Sequence, residues 1–283
     1  MTAGAVPRLR DRGFLQVDVF TDEPYYGNPV GVVLDGEGLT DEEMQRMARW
    51  ANLSETTFVL PPTEPGADYR ARIFTPVTEL PFAGHPTLGT AHAWLSTSGA
   101  DQQSVVQQCA AGLVKVRRGD HGLAFAAPPL VRSGPVEPAA VEHAARTLNL
   151  DPAAVVDAQW VDNGPGWVGL LLGDANAVLA VRPGTVDGDV GIVGLYPEGS
   201  SVACEVRAFF PKDGATTEDP VTGSLNASLA EWLLRTGRLS APYVAAQGTA
   251  LGRKGRVYID QDADGTIWVG GGTVTCVRGN ILA

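Results

Sequence analysis

Several short segments of the chain alternate between hydrophobic and polar residues, and this period of two residues is typical of half-buried β-strands. The segment 14–20 (FLQVDVF) shows the pattern. Strands are predicted at 14–20, 29–34, 56–60, 69–75, 104–109, 113–117, 122–126, 155–161, 167–172 and 203–210, and as short strands after residue 243.

Other segments carry helical signals. Thr40 and Glu43 form a capping box, after which apolar residues recur at helical spacing. Helices are predicted at about 40–52, 86–98, 139–149 and 220–236. The second and fourth of these open with proline and carry small or apolar residues on nearly every side, which predicts that both are buried.

The order of these elements predicts an α+β fold, because strands and helices do not alternate as they do in a doubly wound sheet. A length of 283 residues favours about two domains. Residues 127–140 are rich in Pro, Ala and Gly and are interpreted as the interdomain linker. We therefore predict an N-terminal half at 1–126, a C-terminal half at 127–271, and a last strand, 272–283, that completes the first half.

An internal repeat supports this division. The pattern R-x-F-x-P occurs at 72–76 and again at 207–211. The segment 85–93 (HPTLGTAHA) is followed in the second half by a similar segment at 219–227 (DPVTGSLNA). Both pairs keep the same order, which predicts two pseudo-symmetric halves, each a curved mixed sheet wrapped around a central helix. The cleft between the halves is the expected ligand site.

The starts of the two buried helices are the first candidates for chemistry. In this alignment His85 and Asp219 occupy the N-cap positions. Backbone N–H groups in the first turn of a helix are unpaired, and the helix dipole favours negative charge there. Two such ends in one cleft would bind a carboxylate and stabilise an enolate-like intermediate. His85 alone is also compatible with a satisfied polar residue at a turn.

Glu55 is the candidate acid/base residue, because it lies between a helix and an apolar strand (NLSETTFVL). Burial at such a place raises the pKa of a carboxyl group into the range useful for proton transfer. The alternative is a solvated loop glutamate. The corresponding stretch of the second half, taken as 162–168, has no acid aligned with Glu55.

Net charge and cysteine content argue against several other functional classes of protein. A net charge of −11 argues against nucleic acid and anionic membrane surfaces as partners, but not against a small anionic ligand. Three scattered cysteines make neither a disulfide framework nor a zinc site. The N-terminal segment has charges without a following apolar stretch, so no secretory signal is expected and the protein is predicted to be cytoplasmic. No metal-binding or nucleotide-binding motif occurs, and no G-x-S-x-G elbow supports a hydrolase triad.

Five motifs in order resemble the PhzF family of phenazine-biosynthesis-like isomerases: segments 18–35, 52–62, 72–92, 218–233 and 247–257. The resemblance implies a diaminopimelate-epimerase-like fold, a homodimer, and Glu55 as the acid/base residue. It implies that the substrate is held by Gly84, His85, Asp219, Gly223 and Ser224, and we add Asn28, Ser54 and Thr222 to the expected site. Ala83 and Thr222 stand where racemases of that superfamily carry paired cysteines, which argues against two-thiol racemisation.

The expected reaction moves a proton between carbons of a small cyclic carboxylic acid similar to dihydro-hydroxyanthranilate. Glu55 would act as base and then as acid, with His85 and Asp219 assisting, so neither a cofactor nor a metal is expected. An epimerase or dehydratase of the same fold, and a non-catalytic small-molecule binding protein, remain as alternatives.

Overall fold

The computed structural model describes residues 9–99 and 101–283. Its strands, β1 to β18, span Asp11–Val19, Asn28–Val33, Glu55–Leu60, Tyr69–Phe74, Glu79–Leu80, Ser104–Cys109, Gly112–Gly119, Gly122–Ala126, Arg132–Pro135, Val155–Asp162, Val168–Leu172, Val190–Leu195, Cys204–Lys212, Ala215–Asp219, Tyr243–Gln247, Gly255–Gln261, Ile267–Gly271 and Thr273–Leu282. Its α-helices, α1 to α5, span Asp41–Ala51, Gly84–Ser98, Pro138–Thr147, Ala175–Ala180 and Gly223–Arg235. Residues 1–8, part of the segment used to exclude a secretory signal, lie outside the described residues.

Two helices, α2 and α5, form the centres of the two halves. Both bury nearly all of their residues, as their small and apolar composition predicts. Helix α2 packs against β1, β2, β3, β8 and β18, whereas α5 packs against β10, β16 and β17. Each central helix is therefore enclosed by strands, which confirms the predicted α+β fold with two pseudo-symmetric halves.

The two halves repeat the same ladder of strands. In the first, β2 pairs with β3 in parallel, β3 with β4 in antiparallel orientation, and β4 with β6 in parallel. In the second, β11, β12, β13 and β15 repeat these three orientations. Within the described residues no helix is long and apolar enough to cross a membrane.

Each half contains a salt bridge between an arginine and a glutamate at an equivalent place in its sheet. The guanidinium of Arg72 on β4 makes two hydrogen bonds with Glu79, of 2.7 and 2.6 Å. The guanidinium of Arg207 on β13 makes the same pair with Glu218, of 2.9 and 2.7 Å. The repeated R-x-F-x-P pattern thus reflects an arginine that ties each strand to the hairpin strand after it.

The alignment of the helix starts was wrong. Phe74 lies opposite Glu79, five residues on, whereas Phe209 lies opposite Glu218, nine residues on. The second hairpin is therefore four residues longer, and this shifts every later equivalence. The helices begin at Gly84 and Gly223, so these glycines are equivalent rather than Gly89 and Gly223.

The segment between the halves also differs from the prediction. Strand β9 (Arg132–Pro135) lies inside the predicted linker 127–140 and pairs with β10. Strands β8 and β17 pair across the two halves, and β18 pairs with β1. The division at residue 127 stays a prediction. The sequence pattern also did not predict α4 and β12, which lie between the predicted strands 167–172 and 203–210.

Candidate active site between the two helix starts

Glu55 is the first residue of β3 and faces helix α2. Two residues further along the strand, Thr57 accepts a hydrogen bond of 2.8 Å from Thr90 of α2. Alternate residues of a strand point to the same face, so Glu55 faces the start of the same helix. There its Oε2 atom lies 3.1 Å from Nε2 of His85.

Burial gives Glu55 and His85 unusual protonation states. Burial and the neighbouring charge of Asp219 raise the pKa of Glu55 to about 8, although Lys212 opposes the shift. Burial lowers the pKa of His85 to about 3, against a hydrogen bond to the backbone of Pro29. At neutral pH the site therefore holds a mainly protonated carboxyl group next to an uncharged imidazole.

The two atoms of Glu55 and His85 that face each other can each form a further hydrogen bond. Glu55 Oε2 and His85 Nε2 are both buried, and neither has an aligned hydrogen-bond partner among the described residues. Buried polar atoms in folded proteins are nearly always paired, so both atoms have room for a further hydrogen bond.

Asp219, the last residue of β14, reaches this pair from the second half. Its Oδ1 accepts a hydrogen bond of 2.8 Å from Asn28, and its Oδ2 accepts one of 2.6 Å from Thr222. Burial raises the pKa of Asp219 to about 6, while these two donors lower it. The Asn28 amide also donates to the Val221 carbonyl and lies 3.3 Å from Nδ1 of His85, so it joins the two halves.

The two helix starts touch each other. A Cβ atom on Gly84 would lie 2.9 Å from Cα of Gly223, and one on Gly223 would lie 2.9 Å from Cα of Gly84. The N-caps are Ala83 and Thr222, and neither side chain caps its helix. The prediction that His85 and Asp219 are N-caps was therefore wrong, because His85 lies inside the first turn and Asp219 ends the preceding strand. The free N–H groups of both first turns meet at one point, where an anion is favoured.

Comparison with known proteins shows the family of this chain. The phenazine biosynthesis-like protein family (PhzC-PhzF) matches residues 17–279. This chain belongs to that family. It is 34% identical over 269 residues to trans-2,3-dihydro-3-hydroxyanthranilate isomerase of Pseudomonas aeruginosa, covering 89% of this chain and 91% of the other. It is 32% identical over 293 residues to antisense-enhancing sequence 1 of Schizosaccharomyces pombe, a match that covers 96% of this chain and 99% of the relative.

Solved structures support the same assignment. A PhzF-family protein of Bacillus anthracis superposes with a TM-score of 0.81 at 25% identity, covering 97% of this chain and 100% of that one. A hydroxyproline epimerase from Agrobacterium vitis shares the fold at 13% identity with a TM-score of 0.58, over 98% and 93% of the chains. The diaminopimelate-epimerase-like fold is thus confirmed, and this PhzF-family chain is an isomerase.

The other predicted site residues of this PhzF-family chain lie at the helix starts, with one exception. Ser224 accepts a hydrogen bond of 3.2 Å at its Oγ from the indole of Trp167, and its carbonyl accepts one of 2.9 Å from Asn163. Gly84, Gly223 and Thr222 form the contact described above. Ser54 precedes Glu55 and is half-buried, and none of the hydrogen bonds that join the site within the described residues involves its side chain.

The second half does contain an acid at the position equivalent to Glu55. Thr56 pairs with Phe74, and Val190 pairs with the equivalent Phe209, so the residue before Val190, Asp189, corresponds to Glu55. The stretch 162–168 was therefore the wrong counterpart. Burial and the nearby charge of Asp162 raise the pKa of Asp189 to about 6.

A separate cavity lies away from these residues. It has a volume of about 370 Å³ and is lined by His121, Tyr258, Trp268 and residues around them. The rings of His121 and Tyr258 stack on each other at 4.0 Å, and Arg117 is paired with Asp260. Its lining contains none of the candidate site residues.

Proposed function

We propose that this chain is a cofactor-independent isomerase that moves a proton between two carbons of a small cyclic carboxylic acid, with Glu55 as the proton carrier. The observation that carries the proposal is the buried pair of Glu55 Oε2 and His85 Nε2, 3.1 Å apart and without aligned partners. A carboxyl group with a pKa of about 8 is balanced between giving and taking a proton near neutral pH.

In the proposed reaction the ionised form of Glu55 takes a proton from a substrate carbon. The C–H bond breaks as the O–H bond forms, and the electron pair moves toward the substrate carboxylate or a conjugated position. The same proton then returns to a second carbon, which regenerates the carboxylate. Because one residue serves as base and then as acid, the cycle needs no outside oxidant, reductant or leaving group.

The surroundings of Glu55 suit an anionic substrate. N–H groups at the starts of α2 and α5 favour a carboxylate and the charge that develops during proton transfer. His85 is neutral, so it accepts or donates a hydrogen bond without competing for the charge. Asp219 is fully ionised only well above pH 6 and then accepts hydrogen bonds from an amino or hydroxyl group of the substrate. Thr222, Ser224 and the two glycines complete the proposed contact surface.

The relatives narrow the substrate class. Proteins named trans-2,3-dihydro-3-hydroxyanthranilate isomerase match most of this chain. A cyclic amino or hydroxy acid with a weakly acidic C–H bond is therefore the proposed substrate. Ala83 and Thr222, rather than thiols, precede the two glycines, which argues against two-base racemisation. The homodimer and the cytoplasmic location stay predictions.

The test is turnover of a panel of compounds in D₂O. Dihydro-hydroxyanthranilate and other cyclic amino and hydroxy acids would be incubated with the protein, and products would be resolved by chromatography and mass spectrometry. A product isomer of unchanged formula supports the proposal, and deuterium at carbon locates the proton transfer. A stereoisomer or loss of water would instead show an epimerase or dehydratase, and tight binding without either would show a binding protein.

A further inference from the structure

Gln247, the last residue of β15, is fully buried beneath the start of α5. Its Oε1 accepts hydrogen bonds from the Thr222 backbone N–H at 3.0 Å and from the Asn226 amide at 2.7 Å. Its Nε2 donates to the Asp219 carbonyl at 3.2 Å and to Thr222 Oγ1 at 2.9 Å. Both donor hydrogens and both acceptor lone pairs of this amide are therefore in use.

Two backbone groups settle which way this amide faces. A backbone N–H only donates and a backbone carbonyl only accepts. The Thr222 N–H must therefore face the oxygen of Gln247, and the Asp219 carbonyl must face its nitrogen. A flipped amide would oppose both contacts, so the orientation follows from the hydrogen bonds themselves.

This orientation sets the direction of the next hydrogen bond. The Gln247 nitrogen donates to Thr222 Oγ1, so that oxygen acts as the acceptor in this contact. The single hydroxyl proton of Thr222 is then left for Asp219 Oδ2, only 2.6 Å away. A distance of 2.6 Å fits an O–H donating to a carboxylate oxygen.

We propose that Gln247 is a positioning residue that makes the Thr222 hydroxyl donate to Asp219, and so holds Asp219 ready to accept a hydrogen bond from the substrate. The effect of Gln247 on Asp219 follows from the contacts above. Only the last step, from Asp219 to the substrate, rests on the proposed function.

Other groups around Asp219 affect its protonation. Glu55 on β3 and His85 on α2 face it from the first half, and Glu218 precedes it on β14 with its charge paired to Arg207. Glu55 and His85 are both mainly uncharged near pH 6, because their pKa values are about 8 and about 3. Their charges therefore stay nearly constant while Asp219 titrates, and a change in its titration reports on its own donors.

The test is the titration of the Asp219 carboxyl group, followed by carbon NMR of protein labelled at aspartate. An Asp219→Asn variant assigns the signal. Thr222→Val removes one charge-assisted donor and should raise the Asp219 midpoint by roughly one pH unit. Gln247→Met frees the Thr222 hydroxyl to turn away from Asp219 and should raise the midpoint in the same direction, by up to the same amount. The double variant should show no more than Thr222→Val alone, because Gln247 acts on the Asp219 carboxylate through the Thr222 hydroxyl.

Asn226→Ala is the matched control. It removes the hydrogen bonds from Asn226 to the oxygen of the Gln247 amide and to the Thr222 backbone carbonyl, but leaves the Thr222 hydroxyl untouched. It should lower the thermal stability without moving the Asp219 midpoint. If Gln247→Met folds poorly, Gln247→Leu serves in its place, since leucine also has no donor for Thr222 and adds no charge beside Asp219. In that background Thr222→Val should bring the midpoint no higher than Thr222→Val alone.

An unchanged Asp219 midpoint in the Gln247 variant would overturn the proposal, as would shifts that add in the double variant. These readings need no substrate, so a failure of the isomerase proposal would leave them unaffected. With a substrate in hand, the acidic side of the kcat/KM profile should show two breaks, one near pH 8 from Glu55 and one near pH 6 from Asp219. Gln247→Met should move only the lower break upward, by up to about one pH unit. A loss of activity without that shift would indicate a purely structural role.

Discussion

The two halves of the molecule share a scaffold but differ at the places that matter for chemistry. Each half has a buried helix that starts at a glycine, and each has an arginine held by a glutamate of the following hairpin. At the acid position the first half has Glu55 and the second has Asp189. At the residue after the helix glycine, the first half has His85 and the second has Ser224.

Burial accounts for much of this difference. The side chain of Glu55 is only 14% exposed. This burial, together with repulsion from the charge of Asp219, raises the pKa of Glu55 to about 8. Asp189 is less deeply enclosed, and its pKa rises only to about 6. The repeated halves thus have an acid at equivalent positions, Glu55 and Asp189. Only Glu55 combines strong burial of its carboxyl group with a neighbouring imidazole.

The largest expected effect concerns these two acids. Glu55→Gln should lower the isomerisation rate by roughly two to four orders of magnitude, the usual contribution of one general acid/base. Asp189→Asn is the matched control and should retain the rate within about tenfold. Both would be measured as kcat on the substrate found by the panel, with circular dichroism to confirm folding. Equal losses in the two variants would remove the asymmetry between the halves.

The two arginine pairs should differ in their contribution to stability. Arg207 and Glu218 are 4% and 11% exposed, whereas Arg72 and Glu79 are 14% and 35% exposed. Arg207→Met leaves a buried carboxylate unpaired and should cost about 3–5 kcal/mol of unfolding free energy. Arg72→Met should cost about 1 kcal/mol, because solvent screens its partner. Urea unfolding of both variants measures the difference, and a larger loss for Arg72 would contradict it.

The contact between the helix starts should tolerate no side chain. A Cβ on Gly84 would lie 2.8 Å from the Phe125 ring and 2.9 Å from Gly223, so Gly84→Ala should cost about 1–3 kcal/mol and weaken ligand binding. Gly188→Ala is the control, because nothing lies within 4 Å of a Cβ there. Thermal unfolding and ligand titration would show the effect. A Gly84 variant as stable as the control would mean that the helix starts do not touch.

The smallest effect is on the pH dependence of stability. Glu55 has a pKa of about 8 when folded and 4.5 as its reference, so the folded protein holds an extra proton between these values. His85 has a pKa of about 3 when folded and 6.5 as its reference, so below pH 6.5 the unfolded protein holds the extra proton instead. From pH 6.5 to 8 the His85 contribution fades and the Glu55 contribution dominates, so the unfolding free energy should fall by up to about 2 kcal/mol.

Denaturant unfolding at pH 6.5 and 8 checks this sign. Glu55→Gln should abolish the fall, whereas Asp189→Asn should keep it, because the pKa of Asp189 lies below this window. A fall that persists unchanged in Glu55→Gln would assign it to another group.

Much of the fold could be predicted from local patterns. Residues of α1, α2 and α5 carry caps, proline or buried composition that the sequence displays directly, and the R-x-F-x-P repeat indicated the duplication. The alignment failed where one hairpin is four residues longer, because such an insertion leaves no mark in either helix. Strand β12 was missed, and with it Asp189, because its residues (VGIVGL) are buried on both faces and show no alternation.

The sequence predicted the residues of the candidate site but not the contacts between them. The sequence indicates His85 and Asp219 by their place near helix starts, Glu55 by its place between a helix and an apolar strand, and all three by the family motifs. Their mutual distances depend on two halves closing on each other, which no local pattern encodes. Gln247 lies in the family motif 247–257, yet its proposed role depends on four contacts with a segment more than twenty residues away.

The most direct test of the central claim is the fate of the proton that Glu55 removes. A substrate deuterated at the reacting carbon would be converted in ordinary water, and the product isomer would be examined by mass spectrometry and NMR. A single carboxyl group that carries the proton predicts that part of the deuterium appears at the new carbon, and that Glu55→Gln forms the product at least about a hundredfold more slowly. Retention of all the deuterium at the original carbon, or full product formation by Glu55→Gln, would contradict the account.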